Sequence, residues 1–423
     1  MAHFALTTFG SLGDLHPYIA VGLGLRDRGH RVTIATSEVY RSKVEGEGLG
    51  FHPVRPNLAE LRGDAEFLAR ALHPRKGTEY IFRHLMVPWI EHSYSDLKEI
   101  AIEADLLVGH PIALATPIVA EELRKPWISV VLQPIAMLSA FDPPSVSGAP
   151  FLEWFRGFGP GFWRQFGRAA RAVLRSWSGP VNDLRRQVGL PAVANPLLDG
   201  MFSPFGTQAW FSEVLAQPQP DWPPKTLITG FSFYDKLAPG EGLSADLRSF
   251  LDAGPPPVVF TLGSSAVFDA AAGDFFEESL SAVRRLGCRA VLLIGDDANY
   301  QPSRELPGVL AAPYAPYSEL FPRAAAVVQS GGVGTTAQTL RAGVPMCMVP
   351  WSHDQPDNAR RCANLGVARV VPRGKYRASR VAAEIERLLT DDSFHDAAAR
   401  VAAVIAREDG VARACDGLES AVR

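Results

Sequence analysis

The sequence predicts an α/β protein built from two domains. Two strand–turn–helix units stand back to back at residues 324–366: each has an apolar run, a turn and an amphipathic segment. A second observation is a β–α–β pattern at the start of the chain, over residues 4–36. The third is length, because 423 residues exceed the roughly 250–300 at which a single core stops growing. Two α/β domains are therefore expected.

The elements of the first half follow from short apolar runs separated by turn residues. Strands are predicted at 4–9, 31–36, 106–109 and 127–133, and a helix over 17–28 that ends at Gly29. The loop after the first strand reads GSLGD at 10–14. It lacks the Gly-x-Gly-x-x-Gly pattern of dinucleotide folds, which excludes NAD binding.

The second half begins after the richest proline segment, at 217–225, which is typical of an interdomain linker. Strands are predicted at 257–262, 289–295, 324–328 and 344–350, and helices at 335–342, from Pro356, at 381–389 and at 394–407. We therefore expect an N-terminal domain at 1–216, a linker at 217–240 and a C-terminal domain at 241–401.

Composition excludes several classes of protein. A formal net charge of −3 without a basic stripe argues against nucleic acid as the main partner. The four cysteines lack Cys-x-x-Cys spacing, so neither a zinc site nor a disulfide framework is indicated, and a reducing cytoplasm fits. Residues 1–9 lack a basic signal-peptide start, and the longest apolar stretches are interrupted by proline and histidine. A soluble, cytoplasmic protein is expected.

The two turns of the 324–366 region carry the chemistry. Three glycines at 331, 332 and 334 precede a helix start, where free backbone N–H groups hold phosphate. The second turn ends in Asp354 and Gln355, whose carboxylate and amide can bind neighbouring sugar hydroxyls. A glycine loop alone is a weak signal, but this pair of turns about twenty residues apart predicts a nucleotide-sugar site.

The stretch at 313–366, together with GSLGDLHP at 10–17, resembles the signature of family 1, GT-B-fold, inverting glycosyltransferases. Bacterial members acting on lipids, sterols and polyketides are similar, rhamnolipid rhamnosyltransferases among them. The resemblance implies two Rossmann-like doubly wound domains facing each other across a cleft, with a last helix, about 402–423, packing back on the first domain. It also implies transfer of a hexosyl group from a UDP- or dTDP-sugar to a hydroxyl of a hydrophobic small-molecule or lipid acceptor, without a metal or other cofactor.

The resemblance assigns the donor-binding residues. The predicted set comprises two serines after a strand, a tyrosine that stacks on the base, the glycine loop and the second turn: Ser264, Ser265, Tyr314, Gln329, Gly331, Gly332, Val333, Gly334, Thr335, Asp354 and Gln355. Gln329 stands where the family usually has a histidine that donates to the α-phosphate. Glutamine can donate a hydrogen bond but carries no positive charge.

Three residues are candidates for the catalytic step. Asp14 falls on the family's general-base position, although an aspartate before a helix is also good N-cap chemistry. His16 is the competitor, because a pKa of about 6.5 suits a base. His110, in the loop after a predicted strand, is a candidate for orienting the base, and a histidine bonded to loop backbone is the alternative.

An aromatic stretch at 151–166 is predicted to line the acceptor pocket. Its candidate acceptor-binding residues are Phe151, Trp154, Phe155, Phe158, Phe162 and Trp163. Ordinary packing against the sheet and a shallow, weak peripheral contact with a membrane surface are the alternatives. Two other functions stay open for the whole chain: a nucleotide-sugar 2-epimerase-like enzyme and a non-catalytic nucleotide-sugar-binding protein.

Overall fold

The computed structural model describes residues 1–58, 65–235, 242–263, 272–295 and 307–422, and within these ranges it contains two parallel sheets. The first has seven strands in the order β3-β2-β1-β4-β5-β6-β7. Their bounds are β1 His3–Thr7, β2 Arg31–Thr36, β3 Gly50–Pro53, β4 Leu106–Gly109, β5 Trp127–Val131, β6 Thr207–Ala209 and β7 Thr226–Ile228.

The second sheet has six strands in the order β10-β9-β8-β11-β12-β13, again all parallel. The bounds are β8 Val258–Thr261, β9 Ala290–Leu293, β10 Val309–Ala312, β11 Ala326–Gln329, β12 Met346–Met348 and β13 Ala368–Val370. The predicted α/β class with two doubly wound sheets is confirmed.

Helices cover both faces of each sheet, which is why the central strands are apolar on both sides. In β1, Phe4 and Leu6 pack into one layer and Ala5 into the opposite one. The α-helices are Leu12–Asp27, Arg41–Gly46, Ala65–Ala71, Gly77–Tyr80, Ile90–Ala101, Ala115–Glu122, Gly159–Arg175, Gly179–Gln187, Pro196–Asp199, Ala245–Asp252, Ala272–Leu286, Tyr317–Leu320, Val333–Ala342, Gln355–Asn364, Ala378–Thr390, Asp392–Ile405 and Gly410–Ala421. Within the described ranges, no helix is long and apolar enough to span a bilayer.

The segment predicted as the linker differs from the prediction in its first half. β7 lies inside 217–240 and pairs with β6 as the edge strand of the first sheet. A three-residue strand is too short to show the alternating pattern of a β-strand in the sequence. The surrounding prolines therefore favoured a linker over a strand here. The crossing to the second sheet therefore starts after Ile228.

The chain crosses back near its end, and the two crossings run side by side. Helix Asp392–Ile405 packs on the second half, against Val333–Ala342, whereas Gly410–Ala421 packs on the first helix, Leu12–Asp27. Between them, Gly410 approaches the outgoing crossing so closely that a Cβ atom would lie 2.3 Å from the Phe231 carbonyl oxygen. Both connections between the sheets thus pass through one place.

Candidate functional site

The first helix begins with a capping box that holds Asp14. Ser11 is the N-cap, and Asp14 is the third helical residue, whose Oδ2 accepts hydrogen bonds from the Ser11 backbone N–H at 2.7 Å and from Ser11 Oγ at 3.1 Å. The helix thus starts at Leu12, five residues before the predicted start, and Pro17 lies inside it. Asp14 therefore takes part in capping this helix, as the alternative expected, but as the third residue of the capping box. The N-cap itself is Ser11.

The other carboxylate oxygen of Asp14 faces His110. Asp14 Oδ1 lies 4.0 Å from His110 Nε2. The ring's Nδ1 accepts from the Ile112 backbone N–H at 3.3 Å, which assigns the ring proton to Nε2, the atom nearer to Asp14. Burial lowers the pKa of His110, and the Asp14 charge raises it by less, so the imidazole is neutral. The predicted pair of Asp14 and His110 is brought together.

His16 is not brought to this pair. Successive helical residues are rotated by about 100°, so His16 points about 200° away from Asp14 around the helix. Its ring lies 4.9 Å from the ring of Tyr234. Burial, and then the charge of Lys43, lowers the pKa of His16 to about 3. A base so weak is poorly matched to accepting a proton near neutral pH.

The glycine loop connects β11 to helix Val333–Ala342 and leaves that helix start open. The first intrahelical bond is donated by Thr336 to the Gly332 carbonyl, so the N–H groups of residues 333–335 precede the hydrogen-bond ladder. Gly331 has φ +96°, and a Cβ there would lie 3.1 Å from the Gln355 carbonyl oxygen. This loop needs glycine for both reasons.

The open helix start faces Asp14 across the cleft. A Cβ on Gly334 would lie 3.5 Å from the Cα atom of Gly13, one residue before Asp14. Two helix N-termini, one from each sheet, therefore meet at this point. An anion bound at the second helix would lie beside the carboxylate of the first.

Gln329 does not face the cleft, contrary to the predicted direct contact with a phosphate. Its side chain is fully buried: Oε1 accepts from the Gly331 N–H at 3.3 Å, and Nε2 donates to Thr339 Oγ1 at 3.4 Å. The last residue of β11 points into the packed layer beneath the helix because side chains alternate along a strand. Gln329 supports the glycine loop instead. Ser264 and Ser265 lie outside the described residues, and Tyr314 is 60% exposed just after β10.

The second turn is held by its own polar side chains. Gln355 Oε1 accepts from the N–H groups of Trp351 and Ser352 at 2.6 and 3.1 Å. Asn358 Nδ2 donates to the Gly331 carbonyl at 2.9 Å and to Asp354 Oδ2 at 2.7 Å, which ties the two turns together. Asn358 was absent from the predicted donor set, although its position four residues after Asp354 places both on one helix face.

The charge of Asp14 acts on Asp354 across the cleft. Burial, followed by the nearby Asp14 charge, raises the pKa of Asp354 from its ordinary 3.8 to about 7. A titratable group this strongly perturbed in a cleft is a good candidate for a functional site.

The aromatic stretch does not form one enclosed pocket. It folds into a 3₁₀ helix, Pro150–Phe158, and the start of helix Gly159–Arg175. Trp163 is buried against Leu152 and Ala140, with Phe155 and Phe162 packed around them. The ring of Trp163 thus fills a small core, which favours the packing alternative for this residue over an acceptor contact. Trp154 and Phe158, by contrast, are 83% and 63% exposed, and Phe151 is exposed as well.

Comparison with known proteins agrees with this architecture. Residues 4–138 match the glycosyltransferase family 28 N-terminal domain, and residues 277–415 match the erythromycin biosynthesis protein CIII-like C-terminal domain. The O-mycaminosyltylonolide 6-deoxyallosyltransferase of Streptomyces fradiae is 34% identical over 97% of this chain and 95% of its own length. The sterol 3-beta-glucosyltransferase of Cryptococcus neoformans is 28% identical over 97% of this chain, which spans about a quarter (26%) of that protein.

A solved structure shares the fold. The glycosyltransferase SsfS6 of Streptomyces sp. SF2575, in complex with thymidine diphosphate, has a TM-score of 0.64 and 21% identity, covering 99% of this chain and 100% of its own. The match to the Streptomyces fradiae transferase extends over nearly the whole chain and, together with the two facing sheets, identifies the enzyme class. The chain is a glycosyltransferase and belongs to the GT-B-fold enzymes of family 1.

Proposed function

We propose that this enzyme transfers a hexosyl group, with inversion, from a UDP- or dTDP-sugar to a hydroxyl of a hydrophobic small molecule or lipid. The observation that carries the proposal is the approach of Gly334 to Gly13, which sets a phosphate-binding helix start opposite the Asp14 carboxylate. The macrolide and sterol transferases among its relatives support the acceptor class. The thymidine diphosphate bound to the related structure supports a nucleotide-sugar donor.

In the proposed step, Asp14 takes the proton of the acceptor hydroxyl as its oxygen attacks the anomeric carbon. The bond from that carbon to the diphosphate breaks on the opposite face, so the configuration inverts. The departing negative charge is stabilised by the N–H groups at residues 333–335 and by the helix dipole. Since fixed donors already meet this charge, we propose that no metal ion is needed. Neutral His110 would orient the carboxylate by donating from Nε2 once their 4.0 Å separation shortens in the substrate complex.

Other assignments complete the proposal. We assign the first domain, predicted as residues 1–216 and extended by β7, to acceptor binding and residues 241–401 to donor binding, with the final helix bracing the first domain. Ser264 and Ser265 are proposed ligands of the diphosphate, and Tyr314 is proposed to stack on the base, which exposure of its ring permits. The four cysteines are free, which supports the cytoplasm as the proposed location.

The experiment that tests this proposal is a mass-spectrometric screen of UDP- and dTDP-sugars against lipid, phenolic and macrolide acceptors. A product heavier than the acceptor by one hexosyl unit is expected with a hydrophobic acceptor. Conversion of the donor, without any acceptor, into an isomer of equal mass that chromatography resolves would point to an epimerase. Binding of the donor without turnover by any acceptor would point to a non-catalytic binding protein.

Donor affinity is expected to fall as pH drops through about 7. Ionised Asp354 accepts hydrogen bonds from two sugar hydroxyls, and protonation removes one acceptor site. Calorimetric titration should show a stronger pH dependence of affinity for a nucleotide sugar than for the same nucleotide diphosphate. Asp14→Asn should lower the pH at the midpoint of this change, because it removes the charge that helps to raise the Asp354 pKa. Identical pH dependence for both ligands would exclude Asp354 as a sugar ligand.

The same ionisation affects folding with a defined sign. Because the folded state binds this proton more tightly than the unfolded state does, the Asp354 contribution makes the free energy of unfolding decrease as pH rises from about 4 to about 7.

The exposed aromatic residues have two proposed uses. Phe151, Trp154 and Phe158 offer apolar area for the acceptor, at roughly 25 cal/mol per Å² of covered surface. We also propose weak peripheral contact with an anionic membrane surface, because helix Gly159–Arg175 has no carboxylate and carries Arg164, Arg168 and Arg175 besides Arg171, which pairs with Asp199.

Co-sedimentation with vesicles checks the membrane contact. Binding is expected to phosphatidylglycerol-containing vesicles, to weaken with salt, and to fall several-fold in a Trp154→Ser, Phe158→Ser double variant. Val404→Ser, at an exposed apolar position elsewhere, is the control. Equal binding to neutral vesicles, or no loss in the double variant, would contradict the proposal.

A further inference from the structure

His353 has a backbone conformation that is unusual for its residue type. It lies in the turn after β12, directly before Asp354, and has φ +54°. This left-handed region is unfavourable for a residue with a Cβ atom, so the surroundings must hold it there. Strain of this kind is concentrated at functional sites. The contacts of the imidazole indicate what holds it.

The imidazole bonds to the opposite half of the protein. His353 Nδ1 lies 3.1 Å from Thr78 Oγ1, across 275 positions of sequence, and the Ala71 carbonyl is near enough to the ring to raise its pKa. In a neutral imidazole with its proton on Nε2, Nδ1 can accept from the Thr78 hydroxyl. Burial lowers the pKa of His353, which is consistent with the neutral form.

Residues 71–78, here called the docking segment, are shaped to receive this ring. Gly77 is buried, and a Cβ atom there would lie 2.1 Å from the Ala71 carbonyl oxygen and 3.3 Å from His353 Cε1. The far side of the same segment touches the turn just before the aromatic stretch, since a Cβ on Gly148 would lie 3.3 Å from the Arg75 carbonyl oxygen. The docking segment therefore connects two places. One is the turn that carries Asp354 and Gln355, here called the sugar-binding turn after its proposed role, and the other is the proposed acceptor side.

We infer that His353 is a positioning residue: its imidazole docks the segment at 71–78 onto the sugar-binding turn and closes the cleft beside Asp14, so that an acceptor hydroxyl, and not water, reaches the anomeric carbon. This inference rests on the proposed transfer reaction. The Asp14 charge acts on both His353 and Asp354, which places the imidazole beside the meeting point of base and sugar ligand. Exclusion of water at such a point protects a reactive donor from hydrolysis.

Two variants test the inference, each by removing one side of the contact between His353 and Thr78. His353→Gly removes the imidazole and tolerates the positive φ, whereas Thr78→Val removes only the hydroxyl from a side chain of the same shape. With UDP-glucose or dTDP-glucose and an acceptor that the wild type uses, each is expected to lower kcat for transfer at least fivefold. The fraction of donor lost to hydrolysis should rise, and the donor Kd should stay within twofold.

A double-mutant cycle and a control separate docking from general damage. The double variant should be no worse than His353→Gly alone, because both remove one contact. Thr390→Val is the control for Thr78→Val, since its hydroxyl donates within its own helix turn, to the Glu386 carbonyl. Additive losses, or transfer and hydrolysis that match the wild type in both variants, would overturn the inference.

Limited proteolysis provides a readout that needs no turnover. Arg75 and Lys76 are exposed tryptic sites within the docking segment. Cleavage there should be several-fold faster in both variants, with cleavage at exposed Arg186 unchanged. If the wild type turns over no donor, the proposed function fails while proteolysis still reports on docking. Faster cleavage with unaltered transfer by an active enzyme would reject the positioning role.

Discussion

Asp14→Asn is expected to reduce transfer by about 10²–10⁴-fold while nucleotide-sugar binding stays within a few-fold of wild type. The amide has nearly the shape of the carboxylate, and its oxygen can still accept from the Ser11 N–H, so the capping box and the helix start persist. Only the proton acceptor is lost. Initial rates of transfer, measured beside calorimetric titration of the donor, give both quantities.

Two further variants isolate the role of Asp14. Asp27→Asn makes the same change of charge at the other end of the same helix and should leave the rate unchanged. His16→Gln should retain most activity, because that ring points toward Tyr234. Transfer by Asp14→Asn within tenfold of wild type, a difference of 1.4 kcal/mol in the barrier, would show that another group is the base.

Asp357→Ala is expected to lower the free energy of unfolding by about 3–5 kcal/mol. This carboxylate is fully buried and accepts from Arg361 Nε at 2.7 Å, Arg360 Nη2 at 3.0 Å and the Ser145 N–H at 2.9 Å. Its removal leaves the buried guanidinium of Arg361 short of one counter-charge and a backbone N–H without its acceptor. Urea unfolding followed by fluorescence measures the loss.

An exposed ion pair provides the matched control for Asp357. Asp183 pairs with Arg186 three residues later, as Asp357 does with Arg360, but both side chains are about 60% exposed. Water replaces such a contact at little cost, so Asp183→Ala should change the free energy of unfolding by less than about 1 kcal/mol. Similar losses for the two variants would mean that burial is not what makes the Asp357 cluster stabilising.

The local parts of the fold were predictable from the sequence. The run RVTIAT gave β2 with its observed bounds, since a buried parallel strand is a short apolar stretch between polar ends. The predicted start of the first helix, at Pro17, is five residues too late, because the capping box of Ser11 and Asp14 marks the true start and Pro17 lies inside the first turns. The phase of that helix would also have separated His16 from Asp14.

The contacts that join the two halves could not be predicted. The glycine loop and the Asp354–Gln355 turn were found because each is a continuous motif. The bonds of His353 to Thr78 and of Asp357 to Ser145 join residues 275 and 212 positions apart, and they exist only because the two sheets face each other at one particular angle. Likewise, the alternation that buries Gln329 depends on where β11 ends, a boundary that composition does not fix.

The side-by-side crossings limit how the two sheets can move. Gly230 lies so close to Glu408 that a Cβ would be 2.9 Å from its Oε2, and Ser212 Oγ donates to Glu408 Oε1 at 2.6 Å. Both connections between the sheets lie along one edge. The easiest relative motion is therefore a hinge rotation about that edge. Residues far from this hinge edge then move furthest for a given rotation angle. A few degrees of rotation about that edge would change the distance between the two facing helix starts, and with it the distance from the proposed base, Asp14, to the proposed diphosphate site.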